Sequence, residues 1–218
     1  ALGTHSITAR YTGDNRFNAS VSPALVQTVE KAATSVSVRL TPTAATPSVG
    51  AALTFTASVA PASATGSIVF FDGGTAISGS LPLSGGTASF TTSSLSAGSH
   101  SITAQYSGDD NFNGSVSAAL VQNVAKAPTT LSLTTPEDNV KAGAATTFTA
   151  TVSPNTSTGS VAFLDGTTQI SNQVTVSNGV AKFTTTTLTS GTHTITAHYS
   201  GDAGFNASTS NAVKIKVK

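Results

Sequence analysis

One stretch of this chain occurs three times, and no other feature restricts its fold as strongly. It reads GTHSITARYTGDNRFNASVSPALVQTV from Gly3, GSHSITAQYSGDDNFNGSVSAALVQNV from Gly98 and GTHTITAHYSGDAGFNASTSNAVKIKV from Gly191, a spacing of 95 and then 93 residues. Upstream of the second and third copies the similarity continues. TFTASVAPASATGSIVFFDGGTAI from Thr54 aligns with TFTATVSPNTSTGSVAFLDGTTQI from Thr147, and TASFTTSSLSAG aligns with VAKFTTTTLTSG. The first copy has no such upstream half. The chain therefore divides into residues 1–30, the closing strand pair of a truncated repeat, and two complete units at 31–125 and 126–218. The connections Glu30-Lys31-Ala32-Ala33 and Ala125-Lys126-Ala127-Pro128 are only a few residues long, which limits swing between units.

A unit of this size must bury a core of its own, and the hydrophobic pattern shows how. Leu53, Phe55, Ala57 and Val59 alternate with Thr54, Thr56 and Ser58, the signature of a half-buried strand. His100, Ile102, Ala104 and Tyr106 share one parity, against Ser101, Thr103 and Gln105 on the other. Asp72-Gly73 and Asp165-Gly166 lie between apolar runs and are tight-hairpin signals, since residues of these types tolerate positive φ. Ser and Thr make up about a third of the chain, and Thr suits a pleated surface. Strands are expected at 36–41, 53–59, 67–71, 75–83, 88–92, 100–106 and 116–124. Seven strands in so short a unit predict an all-β fold of tandem seven-stranded antiparallel immunoglobulin-like β-sandwiches.

Composition removes several functions. The formal net charge is +1 and 9% of residues are charged, so no basic patch addresses nucleic acid or an anionic membrane. With no Cys, Met or Trp there are no disulfides, thiol nucleophiles or thiolate metal sites. No run approaches the roughly 20 apolar residues that span a bilayer, so membrane insertion is not expected in this segment. Residues 1–10 lack the layout of a signal peptide, which places any targeting signal outside the chain.

The polar residues that recur are His5, His100 and His193; Asp14, Asp109 and Asp202 after Gly13, Gly108 and Gly201; Tyr11, Tyr106 and Tyr199; and Phe17, Phe112 and Phe205. A repeated His invites a metal or general-base reading, but no second ligand keeps a fixed spacing to it. Its inward parity near a strand end predicts a hydrogen bond to a neighbouring turn. Asp109 and Asp110 are candidate calcium ligands, yet only the first Asp recurs, as expected of a residue that closes a turn through backbone N–H groups. The aromatic pair is read as closing the end of the core rather than as a stacking platform for sugars. A Ser–His–Asp triad can be drawn from these residue types, but no nucleophile elbow accompanies it. Asn18, Asn113, Asn206 and Asn155 begin Asn-x-Ser patterns, read as turn chemistry rather than glycosylation. The Thr-rich run at 183–189 is read as the solvent face of an edge strand, and the alternating Lys214, Lys216 and Lys218 as a guard against edge pairing that marks an atypical terminal repeat.

The pattern G-T-H-x-I-x-A-x-Y-x-G-D-x-x-F-x-x-S, with the earlier T-G-S-V-x-F-x-D-G, resembles the bacterial immunoglobulin-like repeats of group 3 type. The resemblance covers both full units and the N-terminal fragment. It implies a structural segment of a long extracellular or surface protein of bacteria, a spacer, stalk or fibre, with no catalytic residues and no cofactor. The partners implied are neighbouring repeats of the same chain and identical subunits in a fibre. The competing expectation is an adhesin module that grips a glycan or protein through its end loops. Two strands alone are marginal in water, so residues 1–30 need support from other polypeptide, and strand donation is one available route.

Overall fold

A computed structural model describes residues 1–41 and 46–218, and every regular element in them is a β-strand. The N-terminal segment holds β1 (Gly3–Ile7), β2 (Arg10–Tyr11), β3 (Ser20–Val21) and β4 (Leu25–Val29). β1 pairs antiparallel with β4 from Gly3↔Val29 to Ile7↔Leu25, and β2 with β3. It is one hairpin, broken where Ser22 folds back on Ala9: Ser22 N–H donates to the Ala9 carbonyl at 2.9 Å and Ser22 Oγ accepts from Ala9 N–H at 2.9 Å.

The first repeat contains β5 (Ser35–Thr41), β6 (Leu53–Ala60), β7 (Ser67–Asp72), β8 (Thr75–Ala76), β9 (Leu81–Pro82), β10 (Thr87–Thr92), β11 (Gly98–Tyr106), β12 (Ser115–Val116) and β13 (Leu120–Val124). One sheet has the order β10-β6-β5; the other runs β12-β11-β7-β8, with β13 also on β11 and β9 also on β7. Strict alternation places Leu53, Phe55, Ala57 and Val59 at 4% exposure or less, while Thr54 and Thr56 face out. There they hydrogen-bond across the ladder, Thr54 Oγ1 to Thr91 Oγ1 at 2.8 Å and Thr56 Oγ1 to Ser89 Oγ at 2.9 Å. Phe70 of one sheet stacks on Phe90 of the other with ring centroids 6.0 Å apart.

The second repeat repeats this plan with β14 (Thr130–Thr134), β15 (Asn139–Val140), β16 (Thr146–Ser153), β17 (Ser160–Asp165), β18 (Thr168–Gln169), β19 (Val174–Thr175), β20 (Val180–Thr185), β21 (Gly191–Tyr199), β22 (Ser208–Thr209) and β23 (Val213–Val217). Its sheets are β14-β16-β20 and β15-β23-β21-β17-β18. Leu133, Phe148, Val152, Val161, Phe163, Ile195, Ala197, Tyr199 and Ile215 form a core exposed by 2% or less. Each fully buried aliphatic or Phe side chain contributes about 1.5–3 kcal/mol. Phe163 carries the core across the sandwich, stacked on Phe183 at 5.4 Å.

Some features differ from the sequence expectation. The strands expected at 75–83 and 116–124 are each two short pieces, because Ser78 and Ser117 turn their hydroxyls onto the backbone N–H groups of Phe70 and Ala104 and interrupt the ladder. Beside the antiparallel ladders lies a short parallel one: β15 runs along β23, and Ser48 bridges Ala125 in the same sense. This corrects the reading of the terminal lysines. The backbone at Lys216 and Lys218 is covered by Asp138, Val140 and Ala142, so that part of β23 is not a bare edge. Lys214 and Lys216 instead solvate an outward face, and Lys214 occupies the position where Val121 stands 65% exposed. Of the Thr-rich run at 183–189 only Phe183, Thr184 and Thr185 lie in the edge strand β20, with Thr184 outward and Thr185 buried; the remainder follows the strand.

Candidate functional site

The recurring residues gather around the ends of β11 and β21. His100, on β11, faces β7, where Asp72 is the last residue before a turn. His100 Nδ1 lies 2.6 Å from Asp72 Oδ2, and Asp72 Oδ1 accepts from Ser101 N–H at 3.0 Å. The second repeat has the same arrangement: His193 Nδ1 to Asp165 Oδ2 at 2.6 Å, with Thr194 N–H on Asp165 Oδ1 at 3.1 Å. His193 Nε2 also meets the Thr189 carbonyl at 2.8 Å. A ring with a carboxylate on one nitrogen and a carbonyl on the other has work for two donors, which favours the imidazolium. The Asp165 bond, then the Thr189 bond, raise the His193 pKa above its ordinary value, against a smaller opposing effect of burial. This is an Asp–His pair whose outer nitrogen is held by the backbone, with a carbonyl where a triad would place its hydroxyl.

Asp109 and Asp202 follow their glycines into the next turn. Gly108 and Gly201 take φ of +76° and +75°, and a Cβ on either would lie within 2.9 Å of backbone atoms, so only glycine fits. Asp109 Oδ2 accepts from Thr65 N–H and Thr65 Oγ1, both at 2.8 Å, while Oδ1 accepts from Asn111 and Phe112 N–H, both at 2.8 Å. The backbone N–H of Thr65, foremost among these donors, holds the Asp109 carboxyl well below the usual carboxylate range. Asp202 repeats the set with Thr158, Gly204 and Phe205. For it burial works upward, yet the bonds from Thr158, Gly204 and Phe205 outweigh burial and bring the pKa to about 2. Both oxygens of each carboxylate are thus engaged by protein donors. Asp110, the other candidate calcium ligand, is exposed, and among the described residues no cluster of three or more His, Cys, Asp or Glu is disposed to hold a metal.

Tyr106 and Tyr199 are buried, at 1% and 0% exposure, so neither ring offers a face to a sugar. Tyr199 donates its hydroxyl to the Thr158 carbonyl, and Phe205 packs against the core beside it. Asn113 and Asn206 donate their side-chain amides to the carbonyls of Lys31 and Lys126. Sequence reasoning located every one of these recurring residues but missed their partners Asp72, Asp165, Thr65 and Thr158. Those partners also recur at fixed repeat positions, and that recurrence was the signal available.

In the N-terminal copy the same residues have other partners. His5 Nε2 meets the Ala1 carbonyl at 2.7 Å, and Asp14 Oδ2 takes its bond from Tyr11 Oη at 3.0 Å. A shallow open concavity is lined there by Asp14, Asn15 and Arg16.

The sequence pattern of the bacterial Ig-like domain (group 3) family matches the chain twice, at residues 40–125 and 133–218. No curated protein matches it. Among solved structures, the fibronectin(III)-like modules of Clostridium thermocellum CbhA are similar at 20% identity and a TM-score of 0.35, over 83% of this chain and 93% of that one. The adhesin InvE of Yersinia pseudotuberculosis is similar at 15% identity and 0.44, over 83% of this chain and 58% of that one. An ICAM-5 D1–D4 ectodomain fragment is similar at 14% identity and 0.47, over 100% of this chain and 61% of that one.

Proposed function

The chain belongs to the bacterial Ig-like domain (group 3) family, and from that premise we propose that it is a non-enzymatic spacer segment of a long extracellular bacterial surface protein or fibre. The observation that carries this reading is the internal use of the recurring His and Asp side chains of the two complete repeats, and of Tyr199. His193 is spent on Asp165 and Thr189, Asp109 and Asp202 on turn amides and a Thr, and Tyr199 on a backbone carbonyl. A repeat selected to bind would keep some of these groups turned outward in a loop. One selected to be stacked many times needs each unit closed on itself and soluble, and the neutral, Thr-rich outer faces serve that end.

The test is binding. Labelled chain is passed over glycan and extracellular-matrix protein arrays and over cells, with the unfolded chain as blank. The spacer reading expects no saturable signal. Saturable binding abolished by exchanging an end loop such as residues 109–114 would make the segment an adhesin module instead.

A further inference from the structure

We propose that Asn211 is a latch on the first strand of its sandwich, and that the first repeat is built without one, so that β5 opens locally where β14 stays shut. In the second repeat the chain folds back at Ser210, whose N–H donates to the Ala197 carbonyl and whose Oγ accepts from Ala197 N–H, both at 2.9 Å. Asn211 follows, and its side chain takes both backbone groups of one residue on the outer edge of β14. Leu133 N–H donates to Asn211 Oδ1 at 3.0 Å, and Asn211 Nδ2 donates to the Leu133 carbonyl at 3.0 Å. A side-chain amide carries the donor and acceptor of a peptide group, so these two bonds make one rung of a ladder without a strand.

The first repeat has the same fold-back and nothing to latch with. Ser117 N–H donates to the Ala104 carbonyl at 2.9 Å and Ser117 Oγ accepts from Ala104 N–H at 3.0 Å, but the residue that follows is Ala118. The N-terminal copy has Pro23 there, so three otherwise similar copies differ at this position. Register identifies the residue that Ala118 leaves unheld: Leu133 stands opposite Ala150, and Val38 opposite Ala57 at the same place in its repeat. Among the described residues no side chain bonds the Val38 backbone. Packing runs the same way. Leu131 and Leu133 are 7% and 2% exposed, whereas their counterparts Val36 and Val38 are half-buried. The start of the strand is anchored alike in both repeats, by Thr34 on the Asn113 carbonyl and Thr129 on the Asn206 carbonyl. One effect opposes: β5 has seven residues on β6 where β14 has five on β16. The extra rungs, Leu40 with Phe55 and Thr41 with Thr54, lie beyond Val38 and hold only that end, which in the second repeat Thr135 Oγ1 holds by donating to the Thr147 carbonyl at 3.2 Å. The difference therefore rests on the middle of the strand. An outer strand that opens bares its edge and the apolar row beneath it, the surface through which sheets pair with foreign strands. Asn211 closes that route in the second repeat, and the first leaves it available.

Native-state hydrogen exchange of the full chain, read amide by amide by NMR, tests this. Leu133 and Val38 turn their N–H groups outward, so their neighbours Ser132 and Ser37 turn theirs to the inner strand. In the parent the Leu133 amide is expected to be protected and the Val38 amide to exchange freely. Ser37 is expected to fall further below Ile102, the core amide of its own sandwich, than Ser132 falls below Ile195. Asn211→Ala should free the Leu133 amide and speed exchange at Ser132 about tenfold, what two such bonds contribute together. Ala118→Asn should protect the Val38 amide and slow Ser37 by a similar factor. Thermal unfolding of each variant confirms that both sandwiches are folded. A parent Leu133 amide as fast as that of Val38 overturns the latch, and so does a folded Asn211→Ala variant whose Ser132 exchanges at the parent rate. A folded Ala118→Asn variant with Ser37 unslowed overturns the claim that Ala118 is what leaves β5 unheld. The inference concerns each sandwich by itself, so the spacer reading stands or falls separately.

Discussion

His193 and Asp202 respond to pH with opposite sign. The folded pKa of His193 is raised, so the stability it contributes is complete below the unfolded value near 6.5 and is lost as pH rises through the folded value. Thermal unfolding of the full chain is expected to fall in midpoint as pH is taken upward from 6, and Asp165→Asn should flatten that slope. Asp202 has the opposite sign. Its folded pKa is about 2 against 3.8, so its contribution is present above 3.8 and disappears as pH falls toward 2. Asp202→Asn is expected to remove this acid limb and to cost about 1 kcal/mol at neutral pH, after allowance for solvent screening of a part-exposed carboxylate. Denaturant midpoints at pH 7 and pH 3 check it: a variant that loses stability equally at both leaves the carboxylate without a charge-dependent role. The recurrence of His and Asp made these residues legible in the sequence. Which residue pairs with which was not, because Asp72 and His100 stand 28 positions apart and only strand pairing brings them together.

Turns show most clearly where local reading stops. Asp72-Gly73 and Asp165-Gly166 mark real hairpins, but the register is one residue later than the dipeptide suggests. Asp72 pairs with Thr75, leaving Gly73 and Gly74 at φ of +53° and +90° as the central residues. Asp72 is thereby released from turn duty to hold His100. Conversely, Asn178-Gly179, at φ of +50° and +75°, is a strong two-residue hairpin signal that the strand count passed over. It connects β19 to β20 through the Ser177↔Val180 bridge, and the equivalent Gly85-Gly86 does the same in the first repeat. These glycines are not equal. A Cβ on Gly179 would stand 2.9 Å from both the Asn155 Cα and the Val152 carbonyl oxygen, whereas one on Gly166 meets nothing within 4 Å. Gly179→Ala is expected to cost about 2–3 kcal/mol, combining positive-φ strain with a backbone clash, and Gly166→Asn less than about 1 kcal/mol, since Asn tolerates that φ. Urea unfolding of the two variants side by side tests the ranking, and equal losses would mean that the backbone around Gly179 gives way freely.

Across the whole molecule the three copies form an experiment already set up, in which one hairpin sequence sits in two environments. Ile102 and Ile195 are 0% exposed, and Ile7 at the same position is 53% exposed; Val124 and Val217 are 6% and 3% exposed, and Val29 is 41% exposed. Alternation told correctly which side chains of β11 and β21 point inward, but burial is a property of what lies opposite. The first copy has β1 and β4 without strands equivalent to β5–β10 to cover them. Its strand pairing matches that of β21 with β22 and β23, yet a lone two-stranded ladder gains too little from burial to offset the entropy of ordering it. Native-state hydrogen exchange of the full chain is therefore expected to divide sharply. Amides of β1 and β4 should exchange at near the free-peptide rate, while those of Ile102, Ala104, Ile195 and Ala197 exchange only through opening of their sandwiches, orders of magnitude more slowly. Deleting residues 1–29 should then leave the unfolding midpoint of the rest nearly unchanged and reduce binding of an apolar dye. Protection of β1 and β4 equal to that of β11 would instead mean that Ile7, Tyr11 and Val29 find a cover in solution, and dilution of the sample would distinguish a second molecule from this one as its source.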